Sequence, residues 1–405
     1  MFNLTKLNKS KKNVIILSLA QSFLGCQLPM IFVLGSLSGE YLSTNKCLST
    51  LPISLVIFGS MTTAPFLSKF MSAYGRKKGF IIGTFAGFLG SLLCALGLIF
   101  QNFYLFLLGS LISGSYMCSY GFYRFAVADT ANEKFRVRAI SYVMAAGLIS
   151  AILGTQLVKI TNDIFFIPFL GSYISIIIIN FFGIFIFFKL DISIKKNIKI
   201  KSNKSLTIFS ILKNNLILYA IFFATLSYFI MNLVMTATPL AIIGCGLTGN
   251  NAADVVMAHV LAMSLPSFFT GKLILRYGEK KIILVGVFLL LFSAIGGVLG
   301  NNLSNFYFTL ILLGIGWNFS FVSATSILTN KNNEHIKEKV QGINDFIVFG
   351  FVAIGSILSG GILNCFSSDI KEGWFWLNLL VIFKCLIIFL VLALKIKSFK
   401  KFKFY

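Results

Sequence analysis

The sequence predicts an all-α integral membrane protein of twelve transmembrane helices arranged as two six-helix bundles. Three observations lead there. The 405 residues are 57% hydrophobic and 12% charged, about half the charged fraction of a soluble globular chain. Apolar runs of about twenty residues, enough for a helix to cross a hydrocarbon core of roughly 30 Å, recur along the whole chain. The pattern of the first half also returns in the second, including a basic turn written "YGRKK" from Tyr74 and "YGEKK" from Tyr277.

Span 1 is expected at 14–36, behind Lys6, Lys9, Lys11 and Lys12. This start imitates a signal peptide, and "FLGC" imitates a lipoprotein box ending at Cys26. Phe23 and Leu24 fit that box badly, and the apolar run continues through Leu34, past the length of a signal h-region, so an uncleaved span is expected. Spans 2 and 3, at 47–69 and 79–99, flank the first basic turn. Span 4, at 104–125, carries Tyr116 and Tyr120 and ends near Arg124 and Asp129. Span 5, at 138–160, opens as "RAISYVMAAGLISAILG", and span 6, at 166–189, completes a bundle over 1–190. Segment 191–212 holds Lys195, Lys196, Lys199, Lys201 and Lys204 with one acid, and reads as a solvated cytoplasmic linker that fixes orientation. Lying on the anionic leaflet is its other reading. The second bundle, 213–405, then repeats the order: spans 7 and 8 at 213–236 and 253–273, the second basic turn, spans 9 and 10 at 281–299 and 304–328. Span 11, at 340–364, contains "QGINDFIVFGFVAIGSILSG", which matches span 5 in position and length, and span 12, at 373–394, precedes a short basic tail.

A net charge of +23 would point to nucleic acid in a soluble protein. Here, with both termini cytoplasmic, every one of the 35 basic residues falls on the inner side except Lys46, Lys159 and Lys371 outside and Arg124 and Lys384 within spans. That asymmetry is how membrane proteins set their orientation, and no nucleic-acid partner is expected. The seven cysteines show no CxxC and no metal spacing and read as packing thiols. A disulfide from Cys47 to Cys245 or to Cys365 across outer loops stays open. No metal, cofactor or catalytic cluster is expected.

Polarity separates lining spans from lipid-facing ones. Span 12 shows only Asn378 and Lys384 as polar residues over 375–394 and span 9 only Ser293 over 282–299, whereas span 10 carries Thr309, Asn318, Ser320, Ser323, Thr325 and Ser326. Hydrocarbon cannot solvate such groups, so spans 9 and 12, and by the repeat spans 3 and 6, face lipid. Half-length repeats in a polytopic chain place a substrate site between two bundles near the midplane.

The two basic turns resemble the loop 2–3 and loop 8–9 motif of the major facilitator superfamily, roughly G-x-x-x-D-R-x-G-R-R/K-R/K. Gly75, Arg76, Lys77 and Lys78 match in the first copy, and Gly271, Arg276, Gly278, Lys280 and Lys281 in the second. Ser68, Ser72 and Ala73 depart from the motif upstream, and Leu275 replaces the second acid. "YRFAVADTANEKFRVRAISYVMAAG", "HVLAMSLPSFFTGKLILRYG" and "LLGIGWNFSFVSAT" look like segments of a loosely characterised bacterial branch of this superfamily, which implies a bacterial inner membrane. In such turns the small residue lets helices approach, the later glycine tolerates positive φ, and the cations hold the loop inside. The family's acid would latch the loop to a neighbouring helix. Both copies lack it, and Arg124 with Asp129 is the substitute the sequence offers. The span-4 arginine and span-5 Gly-Pro associated with coupling and antiport would fall at Ser110 and at Gly154-Thr155, and neither matches.

Spans 1, 4, 7 and 10 supply the cavity candidates: Gln21, Gln27, Tyr116, Tyr120, Tyr228, Asn232, Trp317 and Asn318. Amides and aromatic rings suit a neutral or weakly charged amphipathic organic cargo, although each alone is commonly a helix-packing residue. His259 and Asp254 on span 8 and Asp345 at the start of span 11 are the coupling candidates, because a histidine titrates near neutrality and intramembrane acids are costly unless used. For Lys384, midway along an oily helix, no role is assigned. Pro65 and Pro266 serve as flex points or as static bends. The chain is expected to be a monomeric secondary transporter of a small organic molecule, working by alternating access with protons as the driving ion. A gradient-driven uniporter, a non-transporting receptor of the same fold and a membrane enzyme are the competing readings. The enzyme reading lacks a clustered catalytic set, and no nucleotide-binding loop occurs.

Overall fold

The structure is a computed structural model that describes residues 9–130, 133–192, 213–328, 337–367 and 369–401. Among these, eleven helices are long and apolar enough to cross a membrane, or twelve when one bent pair counts as a single span. Span 1 runs as Lys9–Phe23 and Gln27–Leu42 through a short 3-10 turn, span 2 as Leu51–Tyr74, span 3 as Arg76–Ile99 and span 4 as Phe103–Gly121 with the short helix Tyr123–Thr130 beyond it. Spans 5 and 6 are Glu133–Thr161 and Leu170–Phe188, and span 7 is Asn215–Gly244. Span 8 is the bent pair Gly249–Ser264 and Ser267–Tyr277, and spans 9 to 12 are Glu279–Leu299, Leu303–Leu328, Lys337–Cys365 and Ile370–Lys401. Most of the expected linker, from 193 to 212, lies outside the described residues.

Many span boundaries differ from the expected ones by a few residues, and two of the shifts have a local physical reason. Span 6 begins at Leu170 instead of 166 because Phe169 takes a left-handed φ of 68° and Phe166 is fully exposed in the preceding loop. Span 7 continues to Gly244 through Pro239. A buried helix tolerates an interior proline where neighbouring elements satisfy the freed backbone. The two motif prolines also behave differently. Pro65 sits inside an unbroken helix, whereas Pro266 stands at the 40° break of span 8.

Packing repeats between the halves. Span 3 packs on spans 4 and 6 as span 9 packs on spans 10 and 12, span 2 on 4 as 8 on 10, and span 1 on 5 as 7 on 11. Small residues allow the closest of these approaches: a Cβ on Gly109 would lie 2.6 Å from the Gly90 carbonyl oxygen, and one on Gly316 would lie 2.9 Å from that of Gly286. In an apolar solvent such close backbone contact is a main source of helix association. Spans 3, 6, 9 and 12 leave Phe85, Phe181, Phe288 and Phe383 exposed, as lipid-facing helices do. The halves meet where span 2 packs on span 11 and span 5 on span 8, with span 1 reaching span 7. The two basic turns share one conformation: Gly75 at φ 92°, ψ 155° and Gly278 at φ 84°, ψ 152°. A Cβ would strain both.

Candidate functional site

With the lysine-rich end named inner, the outer end is where polar contacts bridge the halves. On one edge, the loop before span 2 docks on span 11. Thr50 Oγ1 donates to the Ser356 carbonyl at 2.7 Å and accepts from Gly360 N at 3.1 Å. Asn364 Nδ2 donates to the Lys46 carbonyl and to Ser49 Oγ, both at 2.9 Å. A disulfide joins Cys47 to Cys365, which selects one of the two pairings left open and leaves Cys245 free. On the opposite edge Lys159 of span 5 pairs with Asp254 of span 8, beside a weaker contact from Gln156 Nε2 to Met257 Sδ at 3.7 Å.

Deeper in, an aromatic group gathers from three spans of the second half. Trp317 and Phe321 lie four apart on span 10, so they share a face. Their rings stack with centroids 5.0 Å apart and an 11° interplanar angle. Tyr228 of span 7 stands edge-on to both at 5.3 Å and to Phe349 of span 11 at 5.8 Å. All four are half-buried, so they are reachable. The Trp317 indole N–H has no hydrogen-bond partner among the described residues. Arg124 is exposed, yet lies in electrostatic reach of Tyr228 and Asp345 across the interface. Arg124, Tyr228 and Asp345 thus bring polar groups of both halves to one place at the interface. Arg124 also lies 4.8 Å from the Phe125 ring, and Asp345 accepts from Asn344 Nδ2 at 3.0 Å.

The other sequence candidates divide. Gln21 Nε2 donates to the Tyr120 hydroxyl at 2.5 Å, linking spans 1 and 4, and Tyr120 keeps partial exposure. Tyr116 is fully buried, its ring 6.2 Å from that of Tyr120. Gln27 exchanges two hydrogen bonds with Asn180 of span 6, at 3.1 and 3.0 Å. Asn232 Nδ2 donates to the Val352 carbonyl at 3.1 Å. Asn318 holds the break of span 8, donating to the Met263 carbonyl at 2.7 Å and to Ser267 Oγ at 2.6 Å, and accepting from Thr270 Oγ1 at 2.7 Å. His259 is fully buried, with Nδ1 2.7 Å from the Leu310 carbonyl of span 10. Tyr228 with Trp317, both half-buried, and buried Gln21 with the partly exposed Tyr120 are the candidates that come together. Gln27, Tyr116, Asn232, Asn318 and His259 are engaged in packing. Phe321 and Phe349 were missed. The one sequence signal for Phe321 was its four-residue spacing from Trp317.

At the inner turns, Arg76 Nε and Nη2 both donate to Asp129 Oδ2, at 3.2 and 3.0 Å. Lys77 Nζ donates to the Phe188 carbonyl at 2.7 Å, and Lys78 stands 5.8 Å over the Tyr74 ring. In the second copy Arg276 lies 5.3 Å over Tyr277 and Lys280 6.0 Å over Tyr219, while Lys281 is exposed. Gly271 has open space where its Cβ would stand, so no helix approach requires a glycine there. Lys384 rests 4.3 Å over the Phe229 ring. No group of three or more metal-ligating side chains is gathered among the described residues.

Comparison with known proteins agrees with this architecture. The chain is 37% identical to riboflavin transporter RfnT of Brucella anthropi over 98% of its own length and 99% of that protein's. It is 27% identical to the MFS-type transporter YddS of Bacillus subtilis, covering 86% and 84%. A crystal structure of a mutant of nucleoside transporter NupG superposes with a TM-score of 0.75 at 14% identity, covering 94% of this chain and all of that one. A bacterial homologue of the lysosomal transporter Spinster, captured inward-facing and unoccupied, gives 0.67 at 13% identity. These last two speak to fold alone. The model of the Major Facilitator Superfamily matches residues 14–353, and with twelve spans in two like bundles the chain belongs to that superfamily of membrane transporters.

Proposed function

We propose that this protein carries riboflavin, or a flavin with the same planar ring, across the bacterial plasma membrane by alternating access. The observation that carries this reading is the 37% identity to riboflavin transporter RfnT, kept over nearly the whole of both chains. The aromatic group supports it. An isoalloxazine is flat and amphipathic, and rings at Tyr228, Trp317, Phe321 and Phe349 offer stacking and edge contacts to such a plane. The Trp317 N–H and the Gln21–Tyr120 pair offer hydrogen bonds to ring oxygens or ribityl hydroxyls. The protein acts as a monomer, with bundles 1–190 and 213–405 rocking about linker 191–212 and both termini cytoplasmic, as the lysine distribution favours.

Transport is coupled to protons, and of the three coupling candidates Asp345 is the one the geometry favours. It interacts with Arg124 across the interface between the halves, whereas Asp254 is tied to Lys159 and His259 to the Leu310 carbonyl. The test is radiolabelled riboflavin accumulated by proteoliposomes holding the purified chain under an imposed pH gradient. Accumulation abolished by a protonophore is expected, with competition by excess riboflavin and not by nucleosides. Saturable riboflavin binding without flux under any gradient would establish the receptor reading, and absence of both binding and flux would remove riboflavin as cargo.

A further inference from the structure

At the inner surface, the first basic turn and the ends of spans 1 and 6 line an open concavity of about 470 Å³ that the transport reading leaves unused. Lys12, Lys77, Lys78 and Lys189 line it together with Tyr74, Phe188 and Asp191. Asp191 is the one carboxylate among these lining residues, and it is already engaged: it pairs with Lys9 at 3.0 Å, while its backbone carbonyl and N–H are held by the Asn13 side chain at 2.7 and 3.1 Å. Four lysines thus share one concavity without a matching negative charge. Lys77 cannot swing away freely, because Nζ donates to the Phe188 carbonyl at the end of span 6. Like charges held this close repel one another, and the repulsion is relieved by an anion seated among them.

A second feature begins at the same rim. Phe181, Phe185 and Phe188 fall at i, i+4 and i+7 on one face of span 6, each about half exposed. Their rings touch edge-on in succession at 6.0 and 5.6 Å. Exposed Ile82 and Phe85 of neighbouring span 3 add to this apolar surface. Phe188 belongs to both features, as a cavity lining and as the last ring of the stripe. A cationic pocket at headgroup depth, continuous with an apolar track into the bilayer, fits a ligand charged at one end and oily along the rest.

We propose that this cavity is a binding site for the phosphate headgroup of an anionic inner-leaflet phospholipid, with its acyl chains lying along the span 6 stripe. A free phosphate satisfies the lysines and leaves the stripe unused. Basic pockets between spans on the cytoplasmic side are suited to such headgroups. Because Lys77 and Arg76 adjoin, the bound lipid steadies the turn whose other anchor is the Arg76–Asp129 pair.

The test is native mass spectrometry of the full chain in a neutral detergent, with phosphatidylglycerol, phosphatidylcholine and inorganic phosphate as separate probes. Wild type is expected to retain phosphatidylglycerol about tenfold better than phosphatidylcholine. Replacing Lys12, Lys77, Lys78 and Lys189 together by Gln should abolish that preference. The same change at Lys69, Lys272, Lys280 and Lys281, basic residues of the inner end outside the cavity, should leave it intact. Should the first variant aggregate, Lys12→Gln with Lys189→Gln spares the turn and should cut the preference to about threefold. Equal retention of the two lipids, a preference that survives removal of the cavity lysines, or displacement of phosphatidylglycerol by equimolar inorganic phosphate would each overturn the proposal.

Discussion

The Lys159–Asp254 pair gives the sharpest test of how the outer end is closed. The two side chains are 21% and 27% exposed, which places the pair between two regimes. Fully exposed ion pairs contribute about 0.2–1 kcal/mol, and breaking a buried pair costs about 3–5 kcal/mol because a charge is left stranded. At roughly a quarter exposure, about 1–2 kcal/mol is the expected bias toward the closed outer end, interpolated between those limits. Both groups regain full hydration once spans 5 and 8 part, so the bias acts on the closed state alone. Asp254→Asn should therefore raise the ratio of outward-open to outward-closed molecules by a factor of about 5–30. Spin labels at exposed Asp163, just past the outer end of span 5, and exposed Asn250, in the first turn of span 8, would read this as growth of a longer-distance population. The exchanged pair Lys159→Asp with Asp254→Lys should restore the wild-type distribution, because attraction does not depend on which half carries which sign. If Asp254→Asn leaves the distances unchanged, or the exchanged pair behaves like the single variant, the pair is not what holds this edge.

On the other edge, Thr50→Val keeps the shape but removes two buried hydrogen bonds and leaves Gly360 N–H without its acceptor. With Cys47→Ser and Cys365→Ser also in place, it should shift the same equilibrium outward by about 2–3 kcal/mol, read with labels at the outer ends of spans 2 and 11. Reducing the native disulfide should speed riboflavin exchange in proteoliposomes severalfold, whereas the double-serine variant should ignore reductant. Trp317→Ala should raise the KM for riboflavin at least tenfold while Trp317→Phe recovers most of it, since stacking needs a ring and the indole N–H adds a further hydrogen bond. His259→Ala should lower the thermal midpoint through loss of about 2–4 kcal/mol of buried contact, yet leave the pH dependence of flux unchanged.

What the sequence disclosed and what it withheld follow from the range of the forces involved. Hydropathy is local, so the span order could be read directly. The shared φ of Gly75 and Gly278 was legible too, because only glycine sits comfortably there. Pairings between distant residues were not. Nothing near Lys159 points to Asp254, 95 positions on, and the choice of Cys365 over Cys245 depends on where spans 2 and 11 meet. Asn318 reads from sequence as a cavity amide because the polar face of span 10 is visible there; Pro266 marks a bend in span 8, but not that Asn318 supplies hydrogen bonds at it. Arg124 and Asp129 were read as one substitute for the missing loop acids. In the fold they separate, Asp129 toward Arg76 and Arg124 toward Asp345 and Tyr228.

The two outer edges differ in the chemistry of their bonds, and the difference dictates the shape of any opening. A covalent link between Cys47 and Cys365 turns the span 2 and span 11 edge into the spine of a book, while the Lys159–Asp254 edge is its clasp, releasable by water alone. An oxidised molecule can then part its covers from one side only. Cargo reaching it from outside would enter past spans 5 and 8, approaching the aromatic rings from a single, predetermined direction.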